Sequence, residues 1–390
     1  MNSNPIRRLY PIAVAHLTIE LCSSYLPVIY PIRITTRGLR YAQVGLVTLV
    51  GVGGATLAQP IFGYLSDRWE SRHIIPISVI WVGLLMGLVG VAPSYWLLIL
   101  LVGLAGLGSA AFHPAGASAA GSITAARRGA ALSVFSVSGS LGAGLSPLLM
   151  IYCISRWELP GTMVLIPVTL LIGLLLYHQS GREGDAKTGS APTTAEGHAR
   201  ARSGSLTGLV LVVLAAMCRS WFQVGLITYL PEWVQGQGGS LVRGGQVLTA
   251  LLISVSIGAL IGGPLSDRVG RWQVLALSLG LLGPAQWFFM TADSPAPVGW
   301  AILIGILIGA SFPVTVAMAQ EAWPRRVGLA SALAMGLGWL PGGLGASVTG
   351  LVADQTSLTA ALGWLVIAPA LGLACALIYG LVWTRHGRDE

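Results

Sequence analysis

Twelve stretches of predominantly apolar residues recur along this chain, each long enough to cross a membrane, and no other feature narrows its fold as far. A helix needs about 20 such residues to pass through the hydrocarbon core of a bilayer. The stretches cover approximately 9–31, 42–65, 73–92, 95–120, 130–153, 159–179, 205–234, 245–265, 272–291, 299–320, 328–352 and 358–383. Charged residues make up only 9% of the chain against 54% hydrophobic, too few to cover a soluble surface. The expectation is an all-α integral membrane protein, because lipid leaves backbone groups no partner outside the helix. The opening segment, MNSNPIRRLYP, runs into the first stretch without a small-residue cleavage site, which argues for a retained span over a removed signal peptide.

One long polar interruption, 180–204, separates six stretches from six. Its Gly, Ser, Thr, Ala and mixed charges cannot bury a core and read as a flexible linker between an N-terminal half, 1–179, and a C-terminal half, 205–390. The basic residues set an orientation. With both termini cytoplasmic, 16 Lys and Arg fall inside and five outside, at Arg33, Arg37, Arg40, Arg156 and Arg243. The same asymmetry accounts for the net charge of +8, so the basic surplus reads as topology and points to no nucleic-acid surface. Cys22, Cys153, Cys218 and Cys375 sit in separate apolar stretches, without the spacing of a metal site or a disulfide framework.

The two halves repeat each other. GYLSDR at 63–68 is echoed by GPLSDR at 263–268, and Phe112 and Phe312 stand at the same offset of 200 residues. Arg127-Arg128 recurs as Arg325-Arg326, and Tyr25-Leu26-Pro27 as Tyr229-Leu230-Pro231. Repeats of this kind build transporters with a substrate site near the midplane, worked by rocking of one half against the other. The doubled loop motif and the 6+6 division resemble the major facilitator superfamily over essentially the whole chain. His16-x-x-x-Glu20, Phe112-His113-Pro114, Arg219-Ser220 and Gln320-Glu321 are similar in detail to the fosmidomycin-resistance-type branch of bacterial exporters. That branch usually carries Asp where this chain has Glu20, and Gly-Pro where it has Ser146-Pro147.

An ionisable group inside a span costs roughly 2.5–3.5 kcal/mol on insertion scales, so each is a functional candidate. His16 and Glu20 are four residues apart and share one helix face, where they can exchange protons in the range in which imidazole titrates. Proton coupling is one reading; a static polar pair holding the first span is the other. Arg219, near the middle of the seventh span, cannot usefully lose its proton and must pair with an acidic residue, an anionic substrate or water. His113 either lines the cavity as a proton or anion contact or makes a buried structural hydrogen bond, while Pro114 beside it removes an amide and opens a turn. Tyr25, Trp221, Phe222, Tyr229 and Trp339 are aromatic candidates for the cavity wall, although packing and interfacial anchoring explain such residues equally well.

A cytoplasmic gate is expected at the loop motifs, from Asp67, Arg68, Arg72, Arg127 and Arg128 in the first half and Asp267, Arg268, Arg271, Glu321 and Arg325 in the second. The family resemblance implies the latching role; solvated charges chosen for topology are the alternative. Glycines 139, 142 and 144 before Pro147, and the run GLGWLPGGLGASVTG, favour close helix packing. No phosphate loop, nucleophile elbow or metal-ligand spacing occurs, so no cofactor, metal or enzymatic activity is expected. The reading is a proton-coupled secondary transporter of the bacterial inner membrane, monomeric, with protons, lipid and a small anionic or amphiphilic compound as partners. Antiport with export is the first expectation, uptake of an organic or phosphorylated acid the second, and a non-transporting sensor a remote third.

Overall fold

The computed structural model describes residues 5–66, 71–122, 128–180, 205–292 and 298–386, and all regular structure among them is helical. Eleven helices are long and apolar enough to cross a membrane. In chain order, with a shorter one third, they are α1 (Leu9–Arg37), α2 (Tyr41–Leu65), α3 (Ser71–Val89), α4 (Tyr95–Ser122), α5 (Ala131–Trp157) and α6 (Leu159–Gln179). After 180–204 come α7 (Leu206–Gly236), α8 (Leu241–Val269), α9 (Arg271–Thr291), α10 (Val298–Ala322), α11 (Leu329–Gln355) and α12 (Leu358–Val382). The chain is thus a multi-pass membrane protein. Eleven of the expected spans are matched by helices of spanning length; at the third stands α3, whose described apolar part is His73–Val89.

Helix ends follow local chemistry. The hydroxyls of Ser205, Ser240 and Ser357 accept the amides of Gly208, Arg243 and Ala360, which starts α7, α8 and α12. Gly270, at φ 114°, makes the sharp turn from α8 into α9 that a side chain would resist. Prolines interrupt where they withhold an amide. α1 breaks at Ser24-Tyr25, ahead of Pro27 and Pro31. α11 contains a π-helical turn at Leu333–Leu337, just before Pro341. By contrast α4 runs unbroken through Pro114.

By its internal contacts the chain divides into one unit of Met1–Ile32 with Val50–Pro192 and another of Arg33–Leu49 with Thr193–Glu390. Tyr41–Leu49, the start of α2, therefore belongs with the second unit. Asp354 is the reason: its two carboxylate oxygens accept the amides of Tyr41 and Ala42 at 2.8 and 3.0 Å, capping α2 from the end of α11. The Tyr229 hydroxyl meets the carbonyls of Tyr41 and Ala346, both at 2.9 Å. Gly45 lies so close to Ser347 that a Cβ there would stand 2.6 Å from its Cα.

Within each unit, glycines bring matching helices into backbone contact. In the first, Gly106 of α4 sits against Gly51 and Ala55 of α2. In the second, Gly305 and Gly309 of α10 meet Leu251 and Val255 of α8, while Gly258 and Gly262 of α8 meet Ile306 and Ala310 in return. Four-residue spacing of small side chains lets dispersion forces act between backbones where lipid offers no hydrophobic drive. The helical repeat thus keeps its packing rule as well as its sequence motifs.

Candidate functional site

Glu20 is the one acidic residue of α1, and helical spacing places it one turn from His16. The His16 Nε2 lies 3.9 Å from the Glu20 Oε1. His113, arriving from α4, comes closer, with its Nε2 3.1 Å from the same oxygen. Its short side-chain contact is thus with the carboxylate of its own unit. Both imidazoles are fixed from behind: the Nδ1 of His16 stands 2.7 Å from the carbonyl oxygen of Phe135, and that of His113 2.8 Å from the carbonyl of Ser109. A carbonyl only accepts, so each Nδ1 carries its hydrogen and donates. In neutral imidazoles both Nε2 atoms are then lone pairs facing a carboxylate that also only accepts. The 3.1 Å contact therefore requires a proton between nitrogen and oxygen.

Packing holds this arrangement. The His16 ring stacks on Phe135 with centroids 4.0 Å apart and has Phe112 at 5.5 Å. Gly139 of α5 faces it directly, and a Cβ there would overlap the imidazole. Glu20 also supplies a third metal-ligand atom beside the two histidines, a grouping that spacing alone did not reveal. The three ligand atoms lie within 4.8 Å of one another, close enough for a metal ion, and no fourth His, Cys, Asp or Glu joins them among the described residues.

In the second unit Arg219 is the largest fully buried side chain, with 1% of its surface exposed. Its Nη1 donates to the Oε1 of Gln223 at 2.9 Å, one helical turn on. Its Nε and Nη2 have no hydrogen-bond partner, and no carboxylate forms an ion pair with it among the described residues. The rings of Phe312 and Trp339 cover the guanidinium at 5.2 and 5.7 Å, within cation–π range.

The other expected residues divide. Trp221 and Trp339 are partly exposed, whereas Tyr25, Phe222 and Tyr229 are fully buried and line no surface. The hydroxyl of Tyr25 donates to the carbonyl of Met86, and that of Tyr229 is taken by backbone as described, so both tyrosines pack and cross-link helices. At the expected gate, Arg271 reaches Glu321 at 2.7 Å and Asp267 at 3.6 Å, joining the α8–α9 turn to the end of α10. Arg268 is exposed. Asp67, Arg68 and Arg127 lie outside the described residues, as do the side chains of Arg72, Arg128 and Arg325 and the linker from 181 to 204. Several participants escaped the sequence reading. Ser109 and Gln223 had a signal, since each stands four residues from the group it serves; the Phe135 carbonyl had none.

A multi-pass helical protein with ionisable and cationic side chains inside its spans has the build of a membrane carrier. It is not an enzyme: the chain belongs to the major facilitator superfamily, whose model matches residues 12–310 and 212–390. It is 27% identical to the fosmidomycin resistance protein of Escherichia coli strain K12, over 93% of this chain and 90% of that one. It is 26% identical to an uncharacterised transporter of the same superfamily, YfnC of Bacillus subtilis strain 168, over 96% and 94% of the two chains. The fold is shared with the crystal structure of a bacterial homologue of the human lysosomal transporter Spinster, in an inward-facing and occupied conformation. That match has a TM-score of 0.80 and 17% identity, over 97% of this chain and 98% of the other.

Proposed function

We propose that this transporter is a proton-driven antiporter that works by alternating access and exports a small anionic or amphiphilic compound across a bacterial inner membrane. One observation carries the reading: the 3.1 Å contact between His113 Nε2 and Glu20 Oε1, with both Nδ1 hydrogens already committed to carbonyls, so that an exchangeable proton has a defined seat. Glu20 and His113 share that proton, and His16 offers the neighbouring acceptor. Arg219 is the anion contact. A proton moving down 100 mV releases about 2.3 kcal/mol, enough to drive one substrate uphill by a useful ratio.

The export direction leans on the relative named for fosmidomycin resistance. The arginine asymmetry supports cytoplasmic termini, and the Arg271–Glu321 pair suits a cytoplasmic latch that forms and breaks during the cycle. The test is transport by the purified protein in liposomes under an imposed pH gradient. Antiport requires substrate movement against the proton flux, lost in Glu20→Gln while exchange of substrate for substrate continues. Accumulation along the inward proton gradient would establish uptake symport instead, and gradient-independent transport would remove the proton from the mechanism.

A further inference from the structure

We infer that Arg219 is a head-group site for an oxyanion with two coplanar oxygens on a flat apolar body, taken up through the guanidinium edge formed by Nε and Nη2. The inference rests on the transporter reading only in treating Arg219 as a substrate contact. Three observations define the ligand.

The first is which donors remain. Nη1 is occupied by Gln223, while Nε and Nη2 are buried and have no partner among the described residues. These two nitrogens lie along one edge of the guanidinium plane, and their N–H bonds run parallel at the spacing of the two oxygens of a carboxylate or a phosphonate. A spherical anion engages such a fork poorly, and a lysine cannot reproduce it. Gln223 also fixes the rotation of the plane, so the free edge is preset.

The second is charge. Buried donors left unsatisfied are costly, and a single guanidinium balances one negative charge. The site therefore favours a monoanion over a phosphate dianion or a neutral amide.

The third is the wall. Phe312 and Trp339 are partly exposed, whereas the guanidinium behind them is sealed. A flat hydrocarbon body can stack on these rings as the head group reaches the cation. The path is short. Trp339 follows the π-helical turn Leu333–Leu337, where the regular bonding of α11 is already relaxed, and its carbonyl takes the Ser220 hydroxyl at 3.3 Å. In this proposal α11 gives way at that turn to admit the head group.

The purified full-length protein can be titrated with benzoate, the phenylphosphonate monoanion, benzamide and chloride, following tryptophan fluorescence and calorimetric heat. Benzoate or phenylphosphonate should saturate, with benzamide and chloride at least about tenfold weaker, since each charge-assisted bond is worth a factor of about ten or more. Arg219→Lys keeps the charge but should lose about tenfold to a hundredfold in benzoate affinity. Equal binding of benzoate and benzamide by the wild type overturns the site with no variant needed. Benzoate binding by Arg219→Lys at wild-type strength overturns the fork, and no binding of either oxyanion overturns both. Proton coupling is read separately: Arg219-dependent binding without any proton movement would defeat the antiport reading and leave this inference standing.

Discussion

An imidazole whose Nδ1 hydrogen is committed to a carbonyl has one nitrogen left with which to trade a proton, and His16 and His113 are both held so. What keeps the His16 nitrogen near Glu20 is space, provided by the missing side chain of Gly139. In Gly139→Ala the added methyl overlaps the ring and forces it, and its Nε2 with it, out of its present place. Overpacking of this kind costs about 1–3 kcal/mol, so the protein should still fold, with a lowered melting temperature and a displaced pH profile of transport. Gly53→Ala is the control, because nothing lies within 4 Å of a Cβ there, and it should leave the pH profile in place. A pH profile that stays put in Gly139→Ala would mean that His16 takes no part in proton handling. Gly142→Ala differs in kind: its Cβ would overlap the backbone carbonyl of Leu17, which cannot swing aside, and loss of folded protein is the expected result.

Among the elements, α2 shows how a helix's placement can depend on a distant residue. Its cap, Asp354, is 313 positions away from Tyr41, and the two amide bonds it accepts tie Arg33–Leu49 to the second unit. Removing an N-cap costs about 0.5–2 kcal/mol, so Asp354→Ala should speed hydrogen exchange at Ala42–Val44 by roughly tenfold while Asp354→Asn, which still accepts one bond, shows less. Equal exchange in all three proteins would show that the cap holds nothing. This element also marks the boundary of what could be read from sequence. The apolar length of α1 to α12 is a local property, visible wherever about 20 residues avoid charge. The seat of Arg33–Leu49 is a tertiary property, set by Asp354, Tyr229 and the close approach at Gly45, none of which announces itself in the run of residues around 41. The same division applies to Tyr25 and Tyr229, where an aromatic in a span reads equally as wall or as packing until its hydroxyl is located.

At the scale of the whole molecule, each unit repeats one plan with a different ion. In the first, His16 of α1 lies against Phe112 of α4 and Gly139 of α5; in the second, Arg219 of α7 lies against Phe312 of α10, and Gly342 of α11 packs on its neighbour Ser220. The phenylalanines were legible from their common offset, but the partners were not: a carboxylate completes one site and a neutral amide the other. If, as proposed, the first unit carries the exchanged proton and the second binds the anion, the two events are linked with a sign that can be worked out. If binding of the anion expels the proton shared by Glu20 and His113, the bound state holds one proton fewer than the free state. Raising the pH then strengthens binding, by up to about tenfold per pH unit across the range in which the free protein is protonated. The trend levels off once the free protein has lost that proton, and reciprocity demands that saturating anion ease proton release by the same factor. Uptake symport has the opposite sign, since the bound state would hold one proton more and affinity would fall as the pH rises. Benzoate titrations of the wild type between pH 5.5 and 8.5 therefore separate the two without any membrane gradient. In Glu20→Gln, which cannot carry the exchanged proton, the slope should flatten; a slope that survives there would assign the coupled proton to another group.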